Sequence, residues 1–240
     1  VNDWIAPNTG YERTSVALSF NSKITPKLTL NGKATYNNKN SENLPTTGFG
    51  NQAYMYWVYF SQPNVDPNYY RDYWVRGLEH RNFINITTTT LESPWAISNE
   101  YLNTQRRNGG VGNIQLSYQL AKGLSAQVRT SLDINKNTTE QLRPYDAAGA
   151  KFAQGSYRIQ SATTYEQNVD ALLKYDRKIN KDINMTVTGG GSILRNEYRK
   201  GESRADGLKI PNIHDLSNNI NPVLSVPDTA RYRFNSVYGY

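Results

Sequence analysis

The sequence predicts an all-β protein, namely part of an antiparallel transmembrane β-barrel that contributes about seven strands and carries long extracellular loops. Apolar and polar residues alternate strictly in paired segments, each pair is joined by a very short turn, and long polar stretches separate the pairs. Tight turns at one end and long loops at the other are typical of outer-membrane barrels. The mean hydropathy of -0.72 agrees with this class, because only alternate strand residues of such a barrel face lipid.

Three hairpins and the start of a further strand follow from the alternation. In the second hairpin, for example, Ile114 and Leu116 alternate with Asn113 and Gln115. The hairpins are predicted at about residues 14–37, 112–133 and 162–190, the further strand at about 231–240, and the loops at about 38–111, 135–161 and 192–230. The last residues have strand character without turn chemistry, and the chain opens at Val1 with neither an initiator Met nor a signal-like segment. We therefore expect the chain to be an excerpt of a longer protein.

The polar residues of each hairpin define one face of the predicted sheet. In a barrel this face lines the lumen, where its side chains can hydrogen-bond a polar solute. The predicted lumen-facing residues are Asn31, Lys33, Asn113, Gln115, Gln127, Arg129, Asn168 and Asp170. Leu172 is the one apolar residue that breaks the pattern.

The first long loop is rich in aromatic residues. Such rings stack on sugar faces or hold apolar peptide side chains, but they also pack a loop against the barrel wall. Both interpretations stay open at this point. The candidate substrate-binding residues are Tyr54, Tyr56, Trp57, Tyr59, Tyr69, Tyr70, Tyr73 and Trp74.

No pattern in the sequence indicates catalysis, a metal site or a cofactor. Cysteine is absent, and His80 and His214 are predicted to be exposed loop residues. The run at 189–191 is predicted to end a strand, because it lacks the Lys-Ser/Thr ending of a phosphate-binding loop. The net charge of +7 is scattered, which argues against nucleic acid and fits either a solvated surface or an anionic partner such as outer-membrane lipid phosphates.

Several stretches resemble the SusC/RagA-like TonB-linked outer-membrane transporters, and the resemblance covers nearly the whole chain. Early stretches are NTGYERT at 8–14 and SKITPKLTL at 22–30. Next come PWAISNE at 94–100, then Asn103, Arg106 and Arg107, then GNI at 112–114. Late stretches are GLKIPN at 207–212, LSN at 216–218 and NSVYG at 235–239.

The resemblance implies a mid-barrel fragment of a protein with about 22 strands. It also implies an N-terminal plug, a TonB-contacting segment and a SusD-like surface lipoprotein that closes as a lid. Neither plug nor TonB-contacting segment matches this chain, so contact with the TonB system is expected through other segments. The lumen-facing set is then expected to contact the plug.

The implied function is active import of oligosaccharides or peptides across a Gram-negative outer membrane. The alternative is a soluble or surface-displayed β-rich carbohydrate-binding module, because the alternation of apolar and polar residues also suits a β-sandwich whose sheets each have one solvent-exposed face. Such a module is expected to be complete with a polar exterior, whereas this sequence shows an apolar stripe on every hairpin. A hydrolytic enzyme is the least favoured interpretation of the sequence.

Overall fold

Eight strands form one antiparallel sheet in which neighbours in the sheet are neighbours in the chain. The computed structural model describes residues 2–3, 6–46, 53–84, 92–147 and 153–240. The strands are β1 (Asn2–Asp3), β2 (Gly10–Thr25), β3 (Leu28–Ser41), β4 (Asn103–Ala121), β5 (Leu124–Tyr145), β6 (Gln154–Lys178), β7 (Asn184–Asp206) and β8 (Leu224–Gly239). The predicted fold class, an all-β antiparallel barrel segment, is confirmed.

Short turns close the three hairpins where the sequence pattern placed them. In the β4–β5 turn, Gly123 has a φ of 80°, and a Cβ there would overlap the carbonyl oxygen of Asp176. In the β6–β7 turn, the Asn180 Oδ1 accepts hydrogen bonds from the backbone N–H groups of Asp182 (2.9 Å) and Ile183 (2.8 Å). Such side-chain bonds stabilise turns at the expense of a continuing strand.

The strands extend beyond their predicted ends. The second hairpin occupies residues 103–145, and the connections shrink to residues 42–102, 146–153 and 207–223. The predicted bounds were wrong because both faces of the strand ends are polar, so the alternation in hydropathy stops while the ladder of hydrogen bonds continues. Residues 137–141 of β5, for instance, still pair with residues 158–162 of β6.

Gly190 lies inside β7 and is paired with Leu172, so the predicted strand terminus at residues 189–191 is wrong. A Cβ at Gly190 would lie 2.6 Å from Leu172 Cδ2 and 2.5 Å from the carbonyl oxygen of Ala171. The missing side chain therefore makes room for Leu172, the apolar residue that breaks the alternation. Gly190 therefore has a packing role between β6 and β7.

The two faces of the sheet differ sharply in chemistry. We call the face that carries Leu18, Leu116 and Val128 the outer face, and the opposite face the inner face. Leu116 lies directly across from Val128, and Leu18 is 69% exposed. The aromatic ring of Phe20 covers Gly32 on this face. No helix among the described residues is long and apolar enough to cross a membrane.

The buried core lies beside the sheet, in an insert formed by the connection between β3 and β4. The insert contains α1 (Tyr54–Phe60), a 3-10 helix (Pro67–Tyr70) and α2 (Pro94–Glu100). Helix α2 begins at Pro94 because Ser93 Oγ accepts from the backbone N–H groups of Trp95 and Ala96, a standard N-cap. The core residues are Phe83, Ala96 and Tyr101 of the insert and Ala147 of the connection between β5 and β6, with Tyr73 and Trp74 packed against them.

Candidate functional site

The inner face gathers most of the predicted lumen-facing residues into two adjacent rows across the strands. One row runs Asn31, Gln115, Arg129 and Asp170 across β3 to β6. The next row contains Lys33, Asn113 and Asn168. Gln127 lies one row away, opposite Leu172. The sequence indicated the face of each residue but not these neighbours, which follow from the register that the turns impose.

An ion pair anchors the first row. The Nε and Nη2 atoms of Arg129 donate to Asp170 Oδ2 over 3.1 Å and 3.0 Å, and the Asn168 amide donates to the same oxygen over 3.3 Å. Asp170 is buried, with 5% of its surface exposed. Buried carboxylates need such partners, because removal from water is otherwise unfavourable. The pair fixes part of a polar wall between β5 and β6.

A row of cations crosses the inner face nearer the insert. The register places Arg13 opposite Lys39, and Lys39 opposite Arg107. Like charges directly opposite each other destabilise a sheet, and no described residue forms an ion pair with any of the three. Their polar partners are neutral: Arg13 Nη2 donates to Asn37 Oδ1 over 3.0 Å. We call Arg13, Lys39 and Arg107 the basic row.

The basic row lines a cavity of about 330 Å³. Lys39 Nζ lies 4.3 Å from the ring centroid of Tyr11, which adds a cation–π contact. Arrangements of this kind bind carboxylate or phosphate groups. Sequence reasoning missed the row because Arg13 and Lys39 fall outside the predicted hairpin at 14–37. Continuing the alternation and the turn register by a few residues would have found it.

The predicted aromatic residues of the insert divide into two groups. Trp57 is buried, with its ring centroid 5.1 Å from that of Tyr70. Tyr73 and Trp74 pack on Phe83, and the Trp74 and Phe83 rings stack at 4.2 Å. These four predicted residues hold the insert together, which favours the packing interpretation for them.

The remaining four aromatic residues are more accessible. Tyr59 and Tyr69 are 63% and 82% exposed. Tyr54 and Tyr56 are half-buried, and burial raises the pKa of Tyr54 to about 12. The exposed rings of Tyr59 and Tyr69 therefore remain the candidate substrate contacts in the insert.

Two tyrosine hydroxyl groups form hydrogen bonds with acidic residues within the insert. The Tyr101 hydroxyl donates to Glu92 Oε1 over 2.7 Å, and the Tyr73 hydroxyl donates to Glu100 Oε1 over 2.8 Å. Burial, reinforced by the neighbouring carboxylate, raises the pKa of both tyrosines well above the usual value. The neutral hydroxyl is thus the form that the fold requires.

The two histidines lie apart and differ in environment. His80 is exposed, as predicted. His214 is partly buried, and its Nε2 forms a 3.1 Å hydrogen bond with the carbonyl oxygen of Arg143, so its predicted full exposure is wrong. Burial lowers the pKa of His214. The described residues contain no group of three or more His, Asp or Glu side chains that could hold a metal ion.

Comparison with solved structures gives the fold a precedent. The chain resembles, in fold, a stretch of solved chains that are titled as a peptide transporter. It superposes on a chain titled the RagAB peptide transporter with a TM-score of 0.69 and 15% identity, covering 96% of this chain and 26% of that one. Two further structures are titled the RagAB peptide importer, in its closed-closed and open-open states; both give a TM-score of 0.68 at 16% identity. Those two matches cover 96% and 95% of this chain, but only 26% and 25% of theirs.

This chain therefore spans about a quarter of the length of the transporter chains it resembles. No protein-family model matches the sequence. No curated protein matches it either. At these identities the likeness shows the fold alone.

Proposed function

We propose that this chain forms part of the barrel wall of a TonB-dependent importer in a Gram-negative outer membrane. The observation that carries the proposal is a transporter-type sheet with an exposed apolar outer face and a polar inner face. Val16, Leu18 and Val128 are 61%, 69% and 49% exposed on the outer face. Exposed apolar surface on this scale needs an apolar covering, and a bilayer supplies one.

The spacing of two tyrosines on β6 supports a membrane location. Tyr165 and Tyr175 both lie on the outer face, separated by Gln167, Val169, Ala171 and Leu173 on that face. Ten residues of a strand tilted by ~40° rise about 26 Å along the barrel axis. Outer-membrane barrels carry aromatic girdles on either side of an apolar band ~25 Å tall. Tyr165 and Tyr175 fit the two girdles.

The inner face suits passage of a polar substrate. The Arg129–Asp170 pair forms part of a polar wall, and the basic row offers a site for anionic groups at the end of the sheet that carries the insert. A peptide C-terminus or an acidic sugar supplies such a group. We propose peptides or oligosaccharides as cargo, a SusD-like surface lipoprotein and the TonB system as partners, and no catalytic step by this chain.

The alternative, a carbohydrate-binding module, draws its support from the exposed rings of Tyr59 and Tyr69. In that case binding requires only the insert, and the apolar outer face has no role. Replacing both tyrosines by alanine separates the two functions, because a binding module loses its ligand whereas an importer keeps uptake at a reduced rate.

Uptake by the full-length protein in its native host tests the proposal. A strain lacking the protein is complemented with the unchanged sequence or with Arg13→Gln, Lys39→Gln and Arg107→Gln combined, and uptake of labelled oligopeptides and oligosaccharides is measured. Collapse of the inner-membrane proton gradient should stop uptake. The variant should lose uptake of carboxylate-bearing cargo about 10-fold or more, by loss of charge-assisted hydrogen bonds.

A matched control removes the same charge at the opposite end of the sheet. The control residues are the exposed turn lysines Lys27, Lys122 and Lys181. Uptake should survive their replacement by glutamine. Uptake that is independent of the gradient, or a protein that fractionates with the soluble material, contradicts the proposed function.

A further inference from the structure

Four arginines meet on the outer face of β7 and β8. The register places Arg195 opposite Arg233, and Glu197 opposite Arg231, while Arg199 follows on the same face of β7. Glu197 accepts from Arg231 Nη2 over 3.0 Å and also pairs with Arg199. We call these four arginines and Glu197 the arginine patch.

The patch carries excess positive charge. Two of the four guanidinium groups, those of Arg199 and Arg231, pair with the single carboxylate of the patch. Arg195 and Arg233 face each other directly, and like charges in that arrangement destabilise neighbouring strands unless an anion lies between them. Arg233 Nε has a neutral partner, Asn235 Oδ1, at 3.1 Å. On the adjoining outer-face positions of β6, residues 163, 165 and 167, the side chains are uncharged. The net charge of the patch is therefore +3.

The position of the patch along the strand points to a particular partner. Below it, the outer-face residues of β7 from Met185 to Ile193 are all apolar or glycine. Eight residue steps along a strand tilted by ~40° rise about 21 Å, close to the ~25 Å of an outer-membrane apolar band. Arg195 is the next outer-face residue after Ile193, and Tyr165 pairs with Glu197. The patch thus lies where the apolar band gives way to lipid headgroups.

The side of the membrane follows from the connections. Residues 207–223 leave β7 beyond the patch, whereas the short turn between β6 and β7 lies at the other end of the strands. In outer-membrane barrels the longer loops are extracellular and the short turns periplasmic. The patch therefore faces the outer leaflet.

Two cavities adjoin the patch and share Tyr165 and Glu197. One, of about 460 Å³, is lined by residues that include Arg195, Arg231 and Arg233. The other, of about 300 Å³, is lined by Thr163, Tyr165, Glu197 and Arg199. Guanidinium groups match phosphate oxygens in pairs of hydrogen bonds, and the planar group is more readily desolvated than an ammonium.

We infer that the arginine patch binds the phosphate groups of an outer-leaflet glycolipid headgroup. The inference rests on the proposed outer-membrane location and extends it by assigning a specific lipid site to one sector of the wall. The phosphates lie against the guanidinium groups, the acyl chains descend along Val169 and Ile193, and Tyr165 marks the boundary between the two. Neutralisation by the lipid relieves the repulsion between Arg195 and Arg233.

Lipid binding to the full-length protein in detergent tests this site. The probes are a diphosphorylated lipid A, its dephosphorylated form, and millimolar inorganic phosphate, with bound lipid counted by native mass spectrometry. The variant combines Arg195→Gln and Arg233→Gln. The control combines Arg106→Gln and Lys136→Gln, which removes the same charge from the outer face of β4 and β5.

We expect the Arg195/Arg233 variant to bind the diphosphorylated lipid about 10- to 100-fold more weakly, because it loses two charge-assisted contacts. The control variant should bind this lipid within a factor of about 2 of the unchanged protein. Removal of the phosphates from the lipid should lower its affinity by a similar factor. Equal binding by the two variants, or displacement of the lipid by free phosphate alone, overturns the site. Heat-dependent gel mobility confirms that each variant still forms a barrel.

The lipid site and the proposed function can be refuted separately. A protein that resides in the outer membrane and imports cargo, yet binds both lipid forms equally, refutes the lipid site and leaves the proposed function intact. A protein that is absent from the outer membrane refutes the proposed function first.

Discussion

Val128→Arg provides a quantitative test of the outer-face assignment. Val128 is 49% exposed and lies opposite Leu116 on β4 and Ala171 on β6. Ala171 is one residue from the midpoint between Tyr165 and Tyr175, so Val128 lies near the centre of the apolar band. An arginine on the lipid face at the bilayer midplane costs about 2–4 kcal/mol. The free energy of unfolding should fall by that amount.

The control is Gln127→Arg, the preceding residue on the inner face. Its cross-strand neighbours are Ser117 and Leu172, and a polar wall accepts another long polar side chain. We expect a loss of about 0.5 kcal/mol or less, as for most substitutions at solvated positions. Full-length protein folded into lipid vesicles is titrated with urea, and gel mobility reports the folded fraction. Equal losses at residues 127 and 128 would refute the assignment of the two faces.

Three further predictions concern the inner face and the insert. Phe83→Ala should destabilise the insert by about 3–5 kcal/mol, seen as faster proteolysis of residues 42–102, whereas Tyr69→Ala should leave the proteolysis rate unchanged. Asp170→Asn should lower the unfolding free energy by about 1–3 kcal/mol, because Arg129 loses a charged partner; an unchanged urea midpoint contradicts this. Because the folded-state pKa of Tyr101 is raised, its contribution to stability is complete below pH 10 and is lost as pH rises further. Protection factors for hydrogen exchange in α2, which correct for the intrinsic rise of exchange with pH, should therefore fall above pH 10 in the unchanged protein, and Tyr101→Phe should make that fall smaller.

The faces of the strands were predictable because a strand has a period of two and each hairpin has a short turn. This is why Asn31, Gln115 and Asp170 were assigned to one face from the sequence. Their arrangement in a single row was not predictable, since it depends on the register between β3 and β6. Register requires knowledge of each turn geometry and of any irregularity, such as the shift between Gln119 and Ala121.

The strand ends were predicted poorly for a physical reason. Alternation in hydropathy marks the apolar part of the outer face, so it stops where that part ends although the strand goes on. Arg13 and Lys39 fell into this region and were missed. The burial of His214 was equally hidden, because its hydrogen-bond partner Arg143 lies 71 positions away in the sequence. Contacts between loops leave no periodic signal.

The insert between β3 and β4 has its own buried core, whereas the outer face of the sheet has none. In the proposed outer-membrane location a bilayer covers the outer face of the strands, whereas the insert is stabilised by its own buried side chains. Ala147 and the Asp146 carboxylate, which accepts from the backbone N–H of Phe83 over 3.0 Å, connect the two parts. We expect biogenesis in two stages, in which the strands enter the lipid first. The insert then folds on the surface as soon as the hairpin that ends at Tyr145 brings Asp146 within reach.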